Sequence, residues 1–197
     1  IVMVDTDAPD FTEKVTYIGT DNYEAGYEGA KEFGTRLGGG KNVVILRGKL
    51  GDPNHEKRTE GLIAGLEETG NTVLETQDAN CESDKAANAM EAFMTKYPDQ
   101  IDAVMVTSDS MAVGAAQAIK AAGLGDRIQV CGFDGFQAAI DLVGTGEISM
   151  IIAQRPEEIG RKGIECGLGA LEGETYDSYI NTGIEIIDSS NYQDYQD

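Results

Sequence analysis

Along the chain, short continuous apolar runs alternate with longer stretches in which apolar residues recur every three or four positions. The runs at 1–5, 16–19, 42–46, 72–76, 103–107, 128–131 and 149–153 are mostly rich in valine or isoleucine. Such runs predict strands buried on both faces, as in a parallel sheet. Between them, Gly26, Ala30, Phe33 and Leu37 mark one face of a helix over 22–37. Ala86, Met90, Phe93 and Tyr97 repeat that spacing, and Ala112, Ala115, Ile119 and Ala122 give a further stripe. A last long helix begins at Pro156, whose fixed φ suits a first turn, with Glu157 and Glu158 favourable at the positive end of the helix dipole.

Alternating strands and helices imply an α/β chain with a doubly wound parallel sheet, covered by helices on both faces in three layers. Ligands of such sheets bind outside the carboxyl ends of the strands. That rule selects Asp5, Thr6 and Asp7, a loop over 47–58 containing Asn54, His55 and Arg58, then Asn80 and Cys81. It also selects Thr107, Ser108 and Asp109, Phe133 and Asp134, and Gln154 and Arg155. These side chains accept hydrogen bonds through carboxylates and amides and donate them through Arg58 and the amides. A polyhydroxylated ligand needs both. Asp21 and Asp109 stand immediately before helical patterns, where a helix cap is the simpler role.

Charge narrows the partners. The 197 residues include 35 acidic and 15 basic side chains, a formal net charge of −20. Such a surface repels nucleic-acid phosphates and anionic lipid. Three widely spaced cysteines describe no disulfide framework, and Cys131 and Cys166 read as small core residues. One histidine, His55, excludes a multi-histidine zinc site, and in a polar loop it is expected to be solvated and without a role. Gly38, Gly39 and Gly40 before Lys41 follow a helix and lack phosphate-loop spacing, so they read as a helix end and turn. No nucleophile elbow or triad pattern occurs. Binding, with no cofactor or metal, is therefore expected in place of catalysis. The opening IVMVD reads as a strand from the middle of a longer chain, so an N-terminal part is expected to precede it.

The stretches IVMVDTDAP, YIGTDNYEAG, GDPNHEKRTEG, VMVTSDSMAVGAAQAI, QVCGFDG and IIAQRPEEIGRKG are similar, in order, to those of ribose/galactose-type (type I) periplasmic sugar-binding proteins of ABC transporters. The resemblance implies two similar α/β lobes closing over a sugar, with roughly a hundred residues of the first lobe, one small domain's worth, preceding this chain. Residues 21–154 would form the second lobe, and 1–20 and 155–197 remnants of the first lobe plus the hinge. By position, Asp5 resembles an aspartate accepting from sugar hydroxyls, Arg58 an arginine donating to the sugar, Asp134 the acid of GFDG and Gln154 an amide at the crossover between lobes. Asn54 resembles a further polar contact. Thr6, Ser108 and Cys81 stand where related binders carry an arginine, an asparagine and, nearby, a stacking aromatic, and with no tryptophan in the chain the aromatic platforms fall to the absent lobe or the ligand departs from a standard pentose or hexose.

The implied role is extracytoplasmic, as a periplasmic protein or cell-surface lipoprotein. It delivers a small sugar to the membrane permease of an ABC transporter, as a monomer when intact. The strand at 1–5 would offer an unpaired edge for self-association of the shorter chain. A LacI-type regulator's effector core and a receptor's sensor domain share the fold and remain as alternatives.

Overall fold

A computed structural model describes residues 1–196. The chain forms two compact units, one from residues 1–21 and 154–185, the other from 22–153 and 186–196. Asp197, the last residue of the expected first-lobe segment, lies outside the described residues.

The larger unit is built on six strands: β3 (Asn42–Arg47), β4 (Thr72–Asp78), β5 (Ala103–Val106), β6 (Gln129–Asp134), β7 (Met150–Ala153) and β9 (Glu185–Asp188). Their order is β4-β3-β5-β6-β7-β9, and the pairs from β4 through β7 are all parallel. The chain moves outward from β3 to β4, then returns past β3 to β5, β6 and β7. The sheet order therefore reverses between β3 and β5, the place where the open α/β architecture leaves a crevice. β5 and β7 are buried along their whole length, which is why they read as unbroken apolar runs.

Helices α1 (Asn22–Leu37) and α2 (Pro53–Glu68) pack against each other, and α3 (Ser83–Lys96), α4 (Asp109–Ala121) and α5 (Gln137–Gly144) form a second group. Val44, Leu46, Val104, Val106, Val130 and Ile151 share one apolar cluster with Met90, Phe93, Met111, Ile119 and Ile140 of that second group. On α1, Gly26, Ala30 and Phe33 are buried as the stripe predicts, and Leu37 is half-buried. Ala122 falls just beyond α4 and is exposed.

The contact between α1 and α2 depends on missing side chains. A Cβ at Gly26 would lie 2.5 Å from the carbonyl oxygen of Arg58, and one at Gly61 would run into that of Tyr23. The two backbones therefore approach more closely than any larger residue permits, and this fixes where α2 carries Arg58. Gly38 and Gly40 adopt positive φ, at 77° and 80°, as a helix end and turn require.

The smaller unit has a three-stranded sheet in the order β1-β2-β8, from β1 (Val2–Val4), β2 (Thr16–Gly19) and β8 (Tyr179–Asn181), all parallel. Helix α6 (Pro156–Leu171) covers β1 and β2, burying Ile159 and Cys166 against Ile18. Residues 186–196, expected with 155–185, join the larger unit instead. β9 extends its sheet beside β7, and the 3₁₀ turn at Tyr192–Tyr195 packs on α5.

Candidate ligand-binding site

In the larger unit the polar residues gather at the carboxyl ends of β3, β5 and β6, around one buried cation. The loop expected over 47–58 ends early. Asp52 caps α2 by accepting from the backbone N–H groups of Asn54 and His55, and Pro53 opens the first turn. Asn54, His55 and Arg58 therefore stand on a helix. An acid followed by proline is a helix-start signal, and it outweighs the polar look of the segment.

Arg58 is 5% exposed. Its Nε donates to Asn22 Oδ1 at 2.8 Å, and its Nη1 donates to the Thr107 carbonyl and to Asp134 Oδ1, each at 2.9 Å. The guanidinium lies 4.0 Å from the centre of the Phe133 ring, a cation–π contact. Nη2 takes no partner among the described residues. Asp134 closes β6 in a strained conformation, with φ of 121°. The pair is nearly neutral as a whole, so this end of the sheet suits an uncharged ligand rich in donors and acceptors better than an ion.

His55 is half-buried and bonded, contrary to the expectation of a solvated ring without a role. Its Nδ1 lies 2.9 Å from Thr107 Oγ1, and that hydroxyl also accepts from the Gly48 N–H. The hydroxyl proton is assigned to Nδ1, which leaves the Nε2 proton facing Cys81 Sγ at 3.2 Å. Burial, reinforced by the Arg58 charge, holds the ring's pKa below the usual histidine value, consistent with a neutral imidazole. Cys81 follows Asn80, and both take positive φ, at 59° and 57°.

Ser108 precedes α4, and its buried Oγ has no partner among the described residues. Asp109, expected to cap α4, does not do so. Its Oδ2 reaches the β6–α5 turn and accepts from the N–H groups of Gly135 and Phe136, both at 2.7 Å. Phe136, at the start of α5, is 55% exposed. It is an aromatic surface the sequence reading passed over, two residues after the acid it had singled out.

Asp5, Thr6 and Gln154 belong to the smaller unit. Asp5 follows β1 with φ of 65°, its N–H donating to Ile18 O and its carbonyl accepting from the Tyr17 hydroxyl. Thr6 Oγ1 donates to Asp5 Oδ2 at 3.2 Å. Tyr17 stacks on Tyr179, with ring centres 5.2 Å apart. Gln154 follows β7 directly.

Most of the chain is similar to known proteins. The family described as periplasmic binding protein domain matches residues 1–175. The chain belongs to that family. It is 31% identical over 175 residues to the ribose import binding protein of Escherichia coli K12, covering 89% of this chain and 58% of that protein. It is also 31% identical to the D-allose-binding periplasmic protein of the same organism, over 78% of this chain and 50% of that protein. A solute-binding protein of Actinobacillus succinogenes 130z, solved with D-allose bound, superposes with a TM-score of 0.90 at 30% identity, over 98% of this chain and 70% of that one. The chain thus spans between 50% and 58% of the length of these curated relatives, which are binding proteins by name. Among the described residues no helix is long and apolar enough to cross a membrane.

Proposed function

We propose that the protein is an extracytoplasmic solute-binding protein that captures a small neutral sugar and delivers it to the permease of an ABC transporter, without catalysing a reaction. The observation that carries this reading is the buried Arg58–Asp134 pair at the sheet's reversal point. It is held at 2.9 Å with Nη2 uncommitted, and the unpartnered Ser108 hydroxyl stands at the neighbouring strand end. A polyol supplies hydroxyls that both accept from the guanidinium and donate to the carboxylate, and its C–H face suits an aromatic such as Phe136. Relatives named for ribose and D-allose support the same ligand class.

Asn54 and Cys81 are further candidate contacts in the larger unit, and Asp5, Thr6 and Gln154 are those of the smaller one. Calorimetric titration of the full-length gene product with D-ribose, D-allose, D-galactose and myo-inositol tests the reading. One of the four binding tightly, with at least about tenfold weakening in Arg58→Ala and Asp134→Ala, is the expected result, since each charge-assisted hydrogen bond in a dry site contributes about 1.5–3 kcal/mol. Equal affinity in both variants would remove the pair from the site.

A further inference from the structure

Asp109 is 1% exposed, yet it neither caps its own helix nor pairs with a cation. Its two oxygens are treated differently. Oδ2 takes the N–H groups of Gly135 and Phe136, while Oδ1 is buried without a partner among the described residues. Space for Oδ1 exists only because residue 132 is glycine, since a Cβ there would collide with it. The turn that Oδ2 holds has two consecutive residues at positive φ, Asp134 at 121° and Gly135 at 99°. A non-glycine residue keeps that conformation only when its surroundings enforce it. The chain of dependence runs from Asp109 through the 135–136 N–H groups to Asp134, and from Asp134 to Arg58.

We infer that Asp109 is a positioning residue of the sugar site, and that sugar binding is coupled to a proton on its otherwise unpartnered Oδ1. The inference rests on the sugar-capture reading above. A carboxylic acid with one oxygen accepting two N–H bonds and the other bare has room for a proton without disturbing either bond. Burial, with a smaller push from the Asp134 charge, raises the carboxyl to about 7, against the pull of the Phe136, Gly135 and, more weakly, Phe133 N–H groups toward the charged form.

The other titratable groups bearing on this region are few. Cys131, buried on β6, has a thiol pushed well up, chiefly by burial and then by the Asp109 charge, so it stays protonated. Arg58 compensates Asp134, and His55 feels both of them but is held below its usual range. A neutral sugar covering Asp134 removes water that screens the two carboxylates from each other. The protonated form of Asp109 is then favoured further, and affinity falls as pH rises.

The test uses the full-length gene product, with D-allose and D-ribose titrated calorimetrically from pH 6 to pH 8.5 in buffers of different ionisation enthalpy. Amide NMR follows Gly135 and Phe136 over the same range. Wild-type affinity is expected to fall about 5- to 10-fold across it, the low end of the usual coupling between two sites, with proton uptake on binding near pH 7. Both amides are expected to titrate together. D109N, which carries an N–H where the acid carries its proton, should bind without a pH slope. It should also stand above D109A at every pH, a rescue that a purely structural role would not confine to the slope.

A flat wild-type profile, a slope that survives in D109N, or amides that do not titrate would overturn the inference. A slope that survives in D109N and vanishes in His55→Gln would give the proton to His55 instead. If no sugar binds the wild type, the sugar reading fails by itself, and the amide titration in wild type against D109N decides whether Asp109 holds the proton.

Discussion

Arg58→Met tests whether the site is also a structural keystone. The substitution keeps most of the side-chain volume and removes the guanidinium. Three hydrogen bonds go with it, to Asn22, Thr107 and Asp134, together with the contact on Phe133. The decisive loss is at Asp134, whose side chain is only 10% exposed and is left without its counter-ion. Removing one partner of a buried pair costs about 3–5 kcal/mol, against roughly 0–1 kcal/mol for an exposed one. A domain with a total stability of about 5–15 kcal/mol should show that plainly. Urea unfolding followed by circular dichroism suits a chain with no tryptophan. Adding Asp134→Asn to Arg58→Met removes the orphaned charge and should recover about half the loss, while sugar binding stays absent. This separates the pair's part in folding from its part in recognition. A cost below about 1 kcal/mol for Arg58→Met would place the pair with surface ion pairs and refute the buried-network argument.

Three further outcomes are expected. Folding favours protonated Asp109, whose carboxyl sits at about 7 against an ordinary value near 3.8. That stability is complete below the ordinary value and is lost as pH rises through about 7. The unfolding midpoint should therefore fall between about pH 4 and pH 7 and level off above that, by a contribution bounded near 4 kcal/mol, and D109N should flatten the profile. Gly61→Ala forces a methyl into the Tyr23 carbonyl, so a loss of about 1–3 kcal/mol is expected, and an unchanged urea midpoint would show that α1 and α2 can part without cost. Cys81 is half-buried while Cys131 and Cys166 are buried, so a thiol reagent such as DTNB should label one cysteine quickly and the other two only on unfolding. Fast labelling that persists in Cys81→Ser would contradict this.

Much of the larger unit was legible because parallel strands buried on both faces are written as unbroken Val/Ile runs. The stripe on α1 was legible because packing decides it. The start of α2 was obscured because a polar first turn resembles a loop, although Asp52 and Pro53 carried the signal. β8 and β9 are short and only partly buried, so no apolar run announces them. The strand-end rule selected Arg58 and Asp134, which the fold brings together as a buried pair. It could not foresee that Asn22, the first residue of α1 and 36 residues away in sequence, would bond Arg58, because that pairing depends on the helix–helix approach through Gly26 and Gly61. Asp109 was misassigned for a related reason. A residue before a helical pattern suggests a cap, and only the tertiary fold brings the β6–α5 turn within its reach.

The backbone leaves one compact unit for the other after Asp21, after Ala153 and again after Glu185. This interleaving sets an order in time. The larger unit's strands β3 to β7 arrive on the ribosome one after another, each separated from the next by a single helix, and can assemble as they emerge. The smaller unit cannot. β2 finds its partner β8 only after about 160 residues have been added, a span matched by the bond from the Asp21 N–H to Asn181. At about 5–20 residues per second, β2 waits on the order of 10–30 s with that edge unpaired. For an extracytoplasmic protein this delay leaves the smaller unit open during synthesis and export, the state in which a translocating chain must be held.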